Sequence, residues 1–373
     1  MLEKVSGVLR HTKDRGYVLR STERSFRPGP GEVLVSGTLL GQFGLVEGAA
    51  VGGQAERSKK GKLQLIDVDS IGGLALQDFH DRAAYTDLVA IDPHERFDLG
   101  ASGDTSMRIV DLIAPIGKGT RQLIVSPPKA GKTVLLEKIA NAIRKDSPRT
   151  RVIVLLIDER PEEVTYFQRA VEGVEVLSST SDHSAEEHVD LAKLVLTHVQ
   201  IELECGRDVV LLIDSLTRMG RAFNNRMPRR RGRGGQTMSG GLAAGALEVP
   251  RRFFGLARKV EHGGSVTIVA TCLVNTGSRM DQLIFEEFKG TGNSEIVLDR
   301  PLAEARIFPA IDLPASGTRK EARLYDSEQT ERIATLRRVL SNYNKRGALE
   351  ALFKLLEKYP TNQEFLQSAS PGI

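Results

Sequence analysis

The chain is poor in cysteine and has no long apolar run, and both absences narrow its class. Its two cysteines, Cys205 and Cys272, lie far apart without CxxC spacing. That excludes a disulfide framework or a zinc ribbon and points to a reducing compartment. No apolar stretch approaches the ~18–20 residues that a membrane helix needs, and the first residues (MLEKVSGVLRHTKD) lack the apolar core of a signal peptide. The expected location is the cytoplasm, with no membrane partner. The chain has no internal repeat. Its 373 residues are 27% charged and 40% hydrophobic, an ordinary soluble balance that leaves room for two domains. A net charge of +4 and a pI near 9.0 fit a polyanionic partner without requiring one.

Two patterns divide the chain. Over residues 1–75, short β segments (5–9, 17–19, 32–35, 50–52 and 63–68) alternate with turn residues such as Gly16, Pro28-Gly29-Pro30-Gly31 and Lys59-Lys60-Gly61. Strands this short and numerous predict a small barrel of the OB type, with an SH3-like barrel as the alternative. Residues 76–105 lose periodicity and read as a connector. From 106 to 373 the pattern is α/β. The runs 123–125, 152–157, 209–213 and 266–270 are β-branched and lack polar alternation, as strands of a parallel sheet do when both faces are buried. Residues 185–205 place Val189, Ala192, Leu196, Val199 and Leu203 on one helical face and stop at Gly206. The tail, 330–366, reads as two or three helices with Leu349, Leu352, Leu355 and Leu356 as core.

The chemistry begins at Ser126-Pro127-Pro128-Lys129-Ala130-Gly131-Lys132-Thr133, between the strand QLIV and the helix VLLEKIANAIR. A strand–loop–helix setting is what a phosphate loop needs, since backbone N–H groups at the helix start hold phosphate oxygens. Ser126 stands where the first glycine is usual, and the two prolines donate no N–H. The cradle for ATP therefore falls to Lys129, Ala130, Gly131, Lys132, Thr133 and Val134. The Lys132 ammonium reaches the outer phosphates and the Thr133 hydroxyl serves Mg2+. The plain alternative is a basic turn capping a helix.

Two strand ends carry carboxylates. Asp214, after 209–213, has the place of a magnesium-site aspartate or, alternatively, of an N-cap for the next helix. Residues 158–163 (DERPEE) supply four carboxylates; one at the strand end suits a general base, and spacing does not choose among them. The segment Asn224-Asn225-Arg226-Met227-Pro228-Arg229-Arg230-Arg231-Gly232-Arg233-Gly234-Gly235 cannot pack as core. It suits an exposed loop gripping phosphate backbones without reading sequence, or one that is merely solvated. Thr276-Gly277-Ser278-Arg279 is a sparser second contact.

From Pro115 to Glu321 the motifs PIGKGTRQLIVSPPKAGKT, VLLIDERPEEVT, LLIDSLTR, RRFFGLARKVEHGGS, NTGSRMD, FEEFKGTGNSEIVLDR, EARIFPAID and SGTRKE resemble, in order, the bacterial transcription terminator Rho family; residues 1–75 resemble its OB-type barrel more weakly. The resemblance implies a RecA-like ATPase domain in a homohexameric ring that moves 5′ to 3′ on single-stranded RNA and dislodges RNA polymerase. It implies Glu159 as the base, Asp214 beside magnesium, Lys129 as an extra phosphate lysine and Arg160 as a nucleotide-sensing arginine. Arg319 takes the place of a finger reaching the neighbour's ATP, with Arg306 near that interface, and Phe308 that of an adenine-stacking ring. Arg229, Arg230, Arg231, Arg233, Thr237, Ser239, Gly240 and Gly241 fall at the family's first RNA loop, and Thr276, Gly277, Ser278 and Arg279 at its second.

Departures stand beside these likenesses. The first loop is longer and richer in arginine, and the second ends in Arg279 rather than lysine. No counterpart is expected for the helical segment that usually precedes the barrel. The barrel lacks the stacking aromatics, leaving Tyr17 and Arg20 as its RNA contacts. Two rival readings follow: a rotary-ATPase-like subunit, and a paralogue that binds nucleic acid and regulates without terminating.

Overall fold

The computed structural model describes residues 2–58, 61–227, 239–243 and 245–368. Its first part is a closed barrel of β1 (Leu2–Thr12), β2 (Gly16–Arg20), β3 (Val33–Val35), β4 (Ala50–Arg57) and β5 (Leu63–Ile71), ordered β1-β2-β3-β5-β4. The helix α1 (Gly37–Phe43) sits between β3 and β4, and β3 runs parallel to β5. That parallel pairing, invisible to periodicity, decides for the OB arrangement. Leu9, Leu19, Val33, Val35, Leu65 and Val68 fill the interior. A register shift at Gly52/Gly53 bends β4. A Cβ at Gly53 would lie 2.1 Å from the Asp67 carbonyl, so the bend needs glycine.

After the barrel, α2 (Leu76–His80) is followed by β6 (Ala90–Ile91) and α3 (Thr105–Ile113). β6 pairs antiparallel with β11 (Arg258–Val260), so the stretch read as a connector adds a strand to the larger sheet. The remaining elements are β7 (Arg121–Ser126), α4 (Lys132–Asp146), β8 (Arg151–Glu159), α5 (Pro161–Ala170), β9 (Glu175–Thr180) and α6 (Ala185–Glu204). Next come β10 (Asp208–Asp214), α7 (Leu216–Arg226), α8 (Glu248–Leu256), β12 (Ser265–Leu273) and α9 (Arg279–Lys289). The last are β13 (Ser294–Val297), α10 (Arg300–Glu304), β14 (Gly317–Thr318), α11 (Ser327–Leu340), α12 (Lys345–Lys358) and α13 (Asn362–Ser368).

The sheet runs β14-β13-β7-β12-β10-β8-β9, with β7, β8, β9, β10, β12 and β13 mutually parallel. Helices cover both faces, which explains the unbroken apolar runs. Along β8, Val152, Val154 and Leu156 enter one core and Ile153, Leu155 and Ile157 the other, the period-2 signature of a strand buried on both sides. α6 buries Val189, Ala192, Leu196, Val199 and Leu203 in the second core. A Ser184/Glu187 capping box starts that helix, and Gly206 follows its end at φ 75°. In the tail Leu349, Leu352 and Leu356 are buried and Leu355 packs at their edge. The buried Arg108 guanidinium ties the tail down, donating to the Leu356 carbonyl (3.0 Å), the Tyr359 carbonyl (2.7 Å) and Asn362 Oδ1 (3.1 Å). Sequence pattern passes over β9 (EVLSST) and β13 (SEIV) because serine and glutamate interrupt their apolar character.

Candidate functional site

Every parallel strand of the large sheet points its C-terminal end the same way, and the candidate residues collect there. The segment between β7 and α4 turns through Lys129 (φ 66°) and Gly131 (φ 90°), both left-handed. Gly131 is the helix N-cap residue, so the first N–H groups of the 15-residue α4 face the loop. Lys132 Nζ donates to Asp214 Oδ2 at 2.6 Å and lies 3.9 Å from Glu159 Oε2. Thr133 Oγ1 donates to Glu163 Oε2 at 3.3 Å. Lys129 and Val134 are exposed, whereas Ala130 is buried.

Asp214 is fully buried, and its second oxygen accepts from Thr271 Oγ1 at 2.8 Å. It does not cap α7: Ser215 does, accepting from the Arg218 amide. Of the four carboxylates in 158–163, Glu162 is exposed, Asp158 turns away at φ 55° and Glu163 meets Thr133. Glu159 alone of them joins Lys132 and Asp214. Burial and then the Asp214 charge push its carboxyl above the usual carboxylate range, while Lys132 and Arg218 pull it back. Arg218 Nη2 holds Glu159 Oε1 at 2.9 Å, and Glu159 Oε2 is buried with no hydrogen-bond partner. Arg218 also donates to the Asp158 carbonyl. Motif reading missed this arginine. Its signal was present: Arg218 lies one helical turn beyond Asp214-Ser215, on a helix that begins at the site.

Phe308 is 48% exposed, and a Cβ at Gly131 would sit 3.4 Å from its ring, so an open aromatic face lies against the loop. Arg160 is the exposed N-cap residue of α5, and Arg306 is exposed two residues before Phe308. Arg319 stands apart. Its amide donates to the Asn293 carbonyl, and the Asn293 amide to that of Arg121, so it is level with the start of β7. The loop leaves β7 at Ser126, roughly 17 Å along the strand at ~3.3 Å per residue. Exposed Arg319 lines a cleft of about 700 Å³ with Lys289, Gly292 and Asn293.

The two candidate RNA loops meet. Gly240 packs against Arg279 and Leu283, Gly241 against Met280, and Asn224 ties the Ser239–Gly241 turn by donating to the Gly241 carbonyl at 3.2 Å. Thr276 Oγ1 donates to Asp281 Oδ2 at 2.6 Å, Gly277 has φ 77°, and Ser278 caps α9. Arg221, a second residue that motif reading missed, clasps Asp281 side-on, Nε donating to Oδ1 and Nη2 to Oδ2, and so fixes this loop to α7. Arg229, Arg230, Arg231, Arg233 and Thr237 lie outside the described residues. The barrel candidates are not brought to an open surface. Half-buried Tyr17 packs on the barrel core with its ring 4.9 Å from His11. The Arg20 side chain is 9% exposed, paired with Glu32 at 2.8 Å and donating to the Phe26 carbonyl at 3.0 Å. Among the described residues, no group of three or more His, Cys, Asp or Glu could hold a metal ion, and no helix is long and apolar enough to cross a membrane.

Residues 106–318 match the nucleotide-binding domain of the ATP synthase alpha/beta family. Over 368 residues the chain is 46% identical to transcription termination factor Rho of Cereibacter sphaeroides, covering 97% of this chain and 86% of that one. It is 44% identical to the Rho of Pseudomonas aeruginosa, covering 98% and 88%. The Rho of Micrococcus luteus is also 44% identical; this chain spans 54% of its length and is itself 99% covered. Among solved structures, an ATPase of a type III secretion system superposes with a TM-score of 0.60 at 24% identity, covering 76% of this chain and 82% of that one. The assembled ATPase EscN with its central stalk EscO, from enteropathogenic E. coli, gives 0.55 at 25% identity, covering 72% and 61%.

Proposed function

The chain belongs to the Rho family of transcription termination factors, and from that premise we propose an ATP-dependent, hexameric RNA translocase. It moves 5′ to 3′ on single-stranded RNA and acts on transcribing RNA polymerase in the cytoplasm. One observation carries the reading. Lys132, Glu159 and Asp214 gather at one end of the sheet, while Arg319 is exposed at the other. A chain built this way completes its site only with the arginine of a second copy.

In this reading the N–H groups from Lys129 to Val134 hold the phosphates, and Lys132 shares its charge between Asp214 and the outer ones. Phe308 stacks on adenine, and Arg160 senses the nucleotide. Arg218 occupies one oxygen of Glu159, which leaves the unpartnered Oε2 to orient the attacking water. A hydroxyl and a buried carboxylate are oxygen donors suited to a hard cation, so Thr133 and Asp214 would hold Mg2+ with the nucleotide. The chemistry such an ion would supply there is an offset to phosphate charge. The neighbour's Arg319, with Arg306 beside the seam, stabilises transition-state charge, and the arginine-rich segment and Thr276–Arg279 hold RNA in the channel. The domain division follows: 1–75 for RNA, 76–105 as connector and 106–373 for ATP and translocation.

ATPase turnover with and without poly(C), poly(U) and single-stranded DNA is the test. Strong stimulation by RNA supports the proposal; full-speed hydrolysis by unassembled protein without polynucleotide overturns it. The engaged Arg20 and aromatic-poor barrel favour a second reading, a family member that binds nucleic acid and regulates without efficient termination. It predicts RNA-stimulated turnover with no release of transcripts from stalled polymerase.

A further inference from the structure

A separate set of charges joins the barrel to the root of the arginine-rich segment. Arg10 on β1, Lys13 in the turn after it and Arg226 at the end of α7 converge on two carboxylates of α6. Asp190 accepts Arg10 Nη2 on one oxygen at 3.3 Å and Arg226 Nη1 on the other at 3.2 Å. Glu186 Oε1 lies 3.4 Å from Arg226 Nη2 and 3.6 Å from Lys13 Nζ. Behind Asp190 a cleft of about 210 Å³ opens between barrel and α6, lined among others by Arg10, Arg20, Arg27, Ser178, His183 and Asp190.

The balance of charge in this cleft is positive. Arg10, Arg20 and Arg27 line it against two carboxylates, Glu187 and Asp190, and Glu32 is shared by Arg15 and Arg20. Asp190 therefore serves two arginines at once. Burial, and then the nearness of Arg20, pull the Arg10 pKa down, against Asp190, Glu47 and Glu32, which raise it. Asp190 stays open to solvent, its side chain 36% exposed, so a polyanion can reach this pair and compete for the arginines, aided by the counterions it releases.

We propose that this cleft is a phosphate-binding station on the route of a single strand from the barrel to the arginine-rich segment, in which Arg10 and Arg226 exchange Asp190 for a backbone phosphate. The proposal rests on the RNA-translocase reading. It places contacts where the barrel's own Arg20 is spent, and it joins two cationic regions that would otherwise be separate.

The test is binding of fluorescent oligo(U) to the full chain, by anisotropy over a range of salt. Arg10→Gln should weaken binding several-fold and flatten the plot of log K against log salt by about 0.7, the value of one single-strand phosphate contact. Arg10→Lys should keep the slope, and it covers the case in which the glutamine variant fails to fold. Asp190→Asn should bind several-fold tighter, because no carboxylate then competes with phosphate. Unchanged slopes in Arg10→Gln, with Asp190→Asn no tighter, overturn the station. So does tripolyphosphate binding that depends on Arg10 while oligo(U) binding does not, which would assign the cleft to a free anion. Wild-type protein that binds no oligo(U) at all removes the RNA reading itself.

Discussion

The end of the parallel sheet and the barrel treat charge in opposite ways. At the sheet, Lys132, Glu159 and Asp214 are drawn out of water with bonding capacity to spare: Glu159 Oε2 has no partner, and Thr133 and Lys132 hold only protein groups that phosphates can replace. On the barrel, away from its junction with α6, arginines are satisfied within the domain, Arg15 and Arg20 by Glu32 and Arg57 by Glu3. Burying an incompletely bonded charge costs free energy, so a fold that keeps one has a use for it. An exposed, internally paired arginine carries no such information. Chemistry is therefore strongly specified at one site and weakly at the other.

The largest effect that would test this contrast is at Arg319. Arg319→Ala should lower kcat by ~10³–10⁵ while leaving ATP affinity nearly intact. Mixing it with Glu159→Gln chains should restore part of the turnover, at seams where an intact Glu159 faces an intact Arg319. No recovery in mixed rings would mean that the arginine acts within its own chain. Glu159→Gln alone should bind ATP and lose ~10²–10⁴ in turnover. Glu163→Gln, which removes a charge but leaves an amide oxygen to accept from Thr133, should lose far less, and the reverse order would move the base to Glu163.

Next in size is the grip of the arginine-rich segment. Serine at Arg229, Arg230, Arg231 and Arg233 should flatten the salt dependence of RNA binding by up to about 3 in slope, at ~0.7 per contact. An unchanged slope would make the segment solvated surface. Smaller again is a shift in pH. Glu159 must be ionised to act as a base, and its pKa is raised by burial and Asp214 but held down by Lys132 and Arg218. Removing Arg218 raises it further, so the acid limb of kcat in Arg218→Gln should move to higher pH. The folded-state pKa of Glu159 is above its unfolded value, so its contribution to stability is full at low pH and lost as pH rises through that pKa. Arg218→Gln should therefore destabilise most near neutrality. An acid limb that stays put would detach Arg218 from the base.

How far the sequence could be read follows the same division. The phosphate loop was legible because strand, loop and helix succeed one another in order, and Asp214 because it ends an apolar run. Spacing does not separate Glu159 from Glu163; the resemblance names Glu159, and burial beside Lys132 is what distinguishes it in the fold. Arg218 and Arg221 escaped because their partners are some 60 residues away and no motif joins them. The OB arrangement depended on β3 pairing in parallel with β5, a long-range fact. Arg20 reads as an RNA contact in the sequence, and the fold pairs it with Glu32 twelve residues on.

The barrel offers the finest test. Leu34 on β3 pairs in register with Val18 of β2 and Gln64 of β5, and a cleft of about 190 Å³ lined by Arg15, Leu34, Arg57 and Lys62 lies at this face. Cations without aromatic faces hold a phosphate backbone but do not discriminate bases. Leu34→Tyr with Lys62→Tyr supplies rings where stacking could occur. Stacking one base is worth ~1–3 kcal/mol, so oligo(C) affinity should rise about tenfold after the cost of ordering. An abasic strand of equal length should gain nothing, and with Lys62 gone it should bind slightly less well. Equal tightening of both strands would trace the gain to altered barrel stability. No change in either would mean that RNA does not cross this face, leaving the barrel's role to its junction with α6.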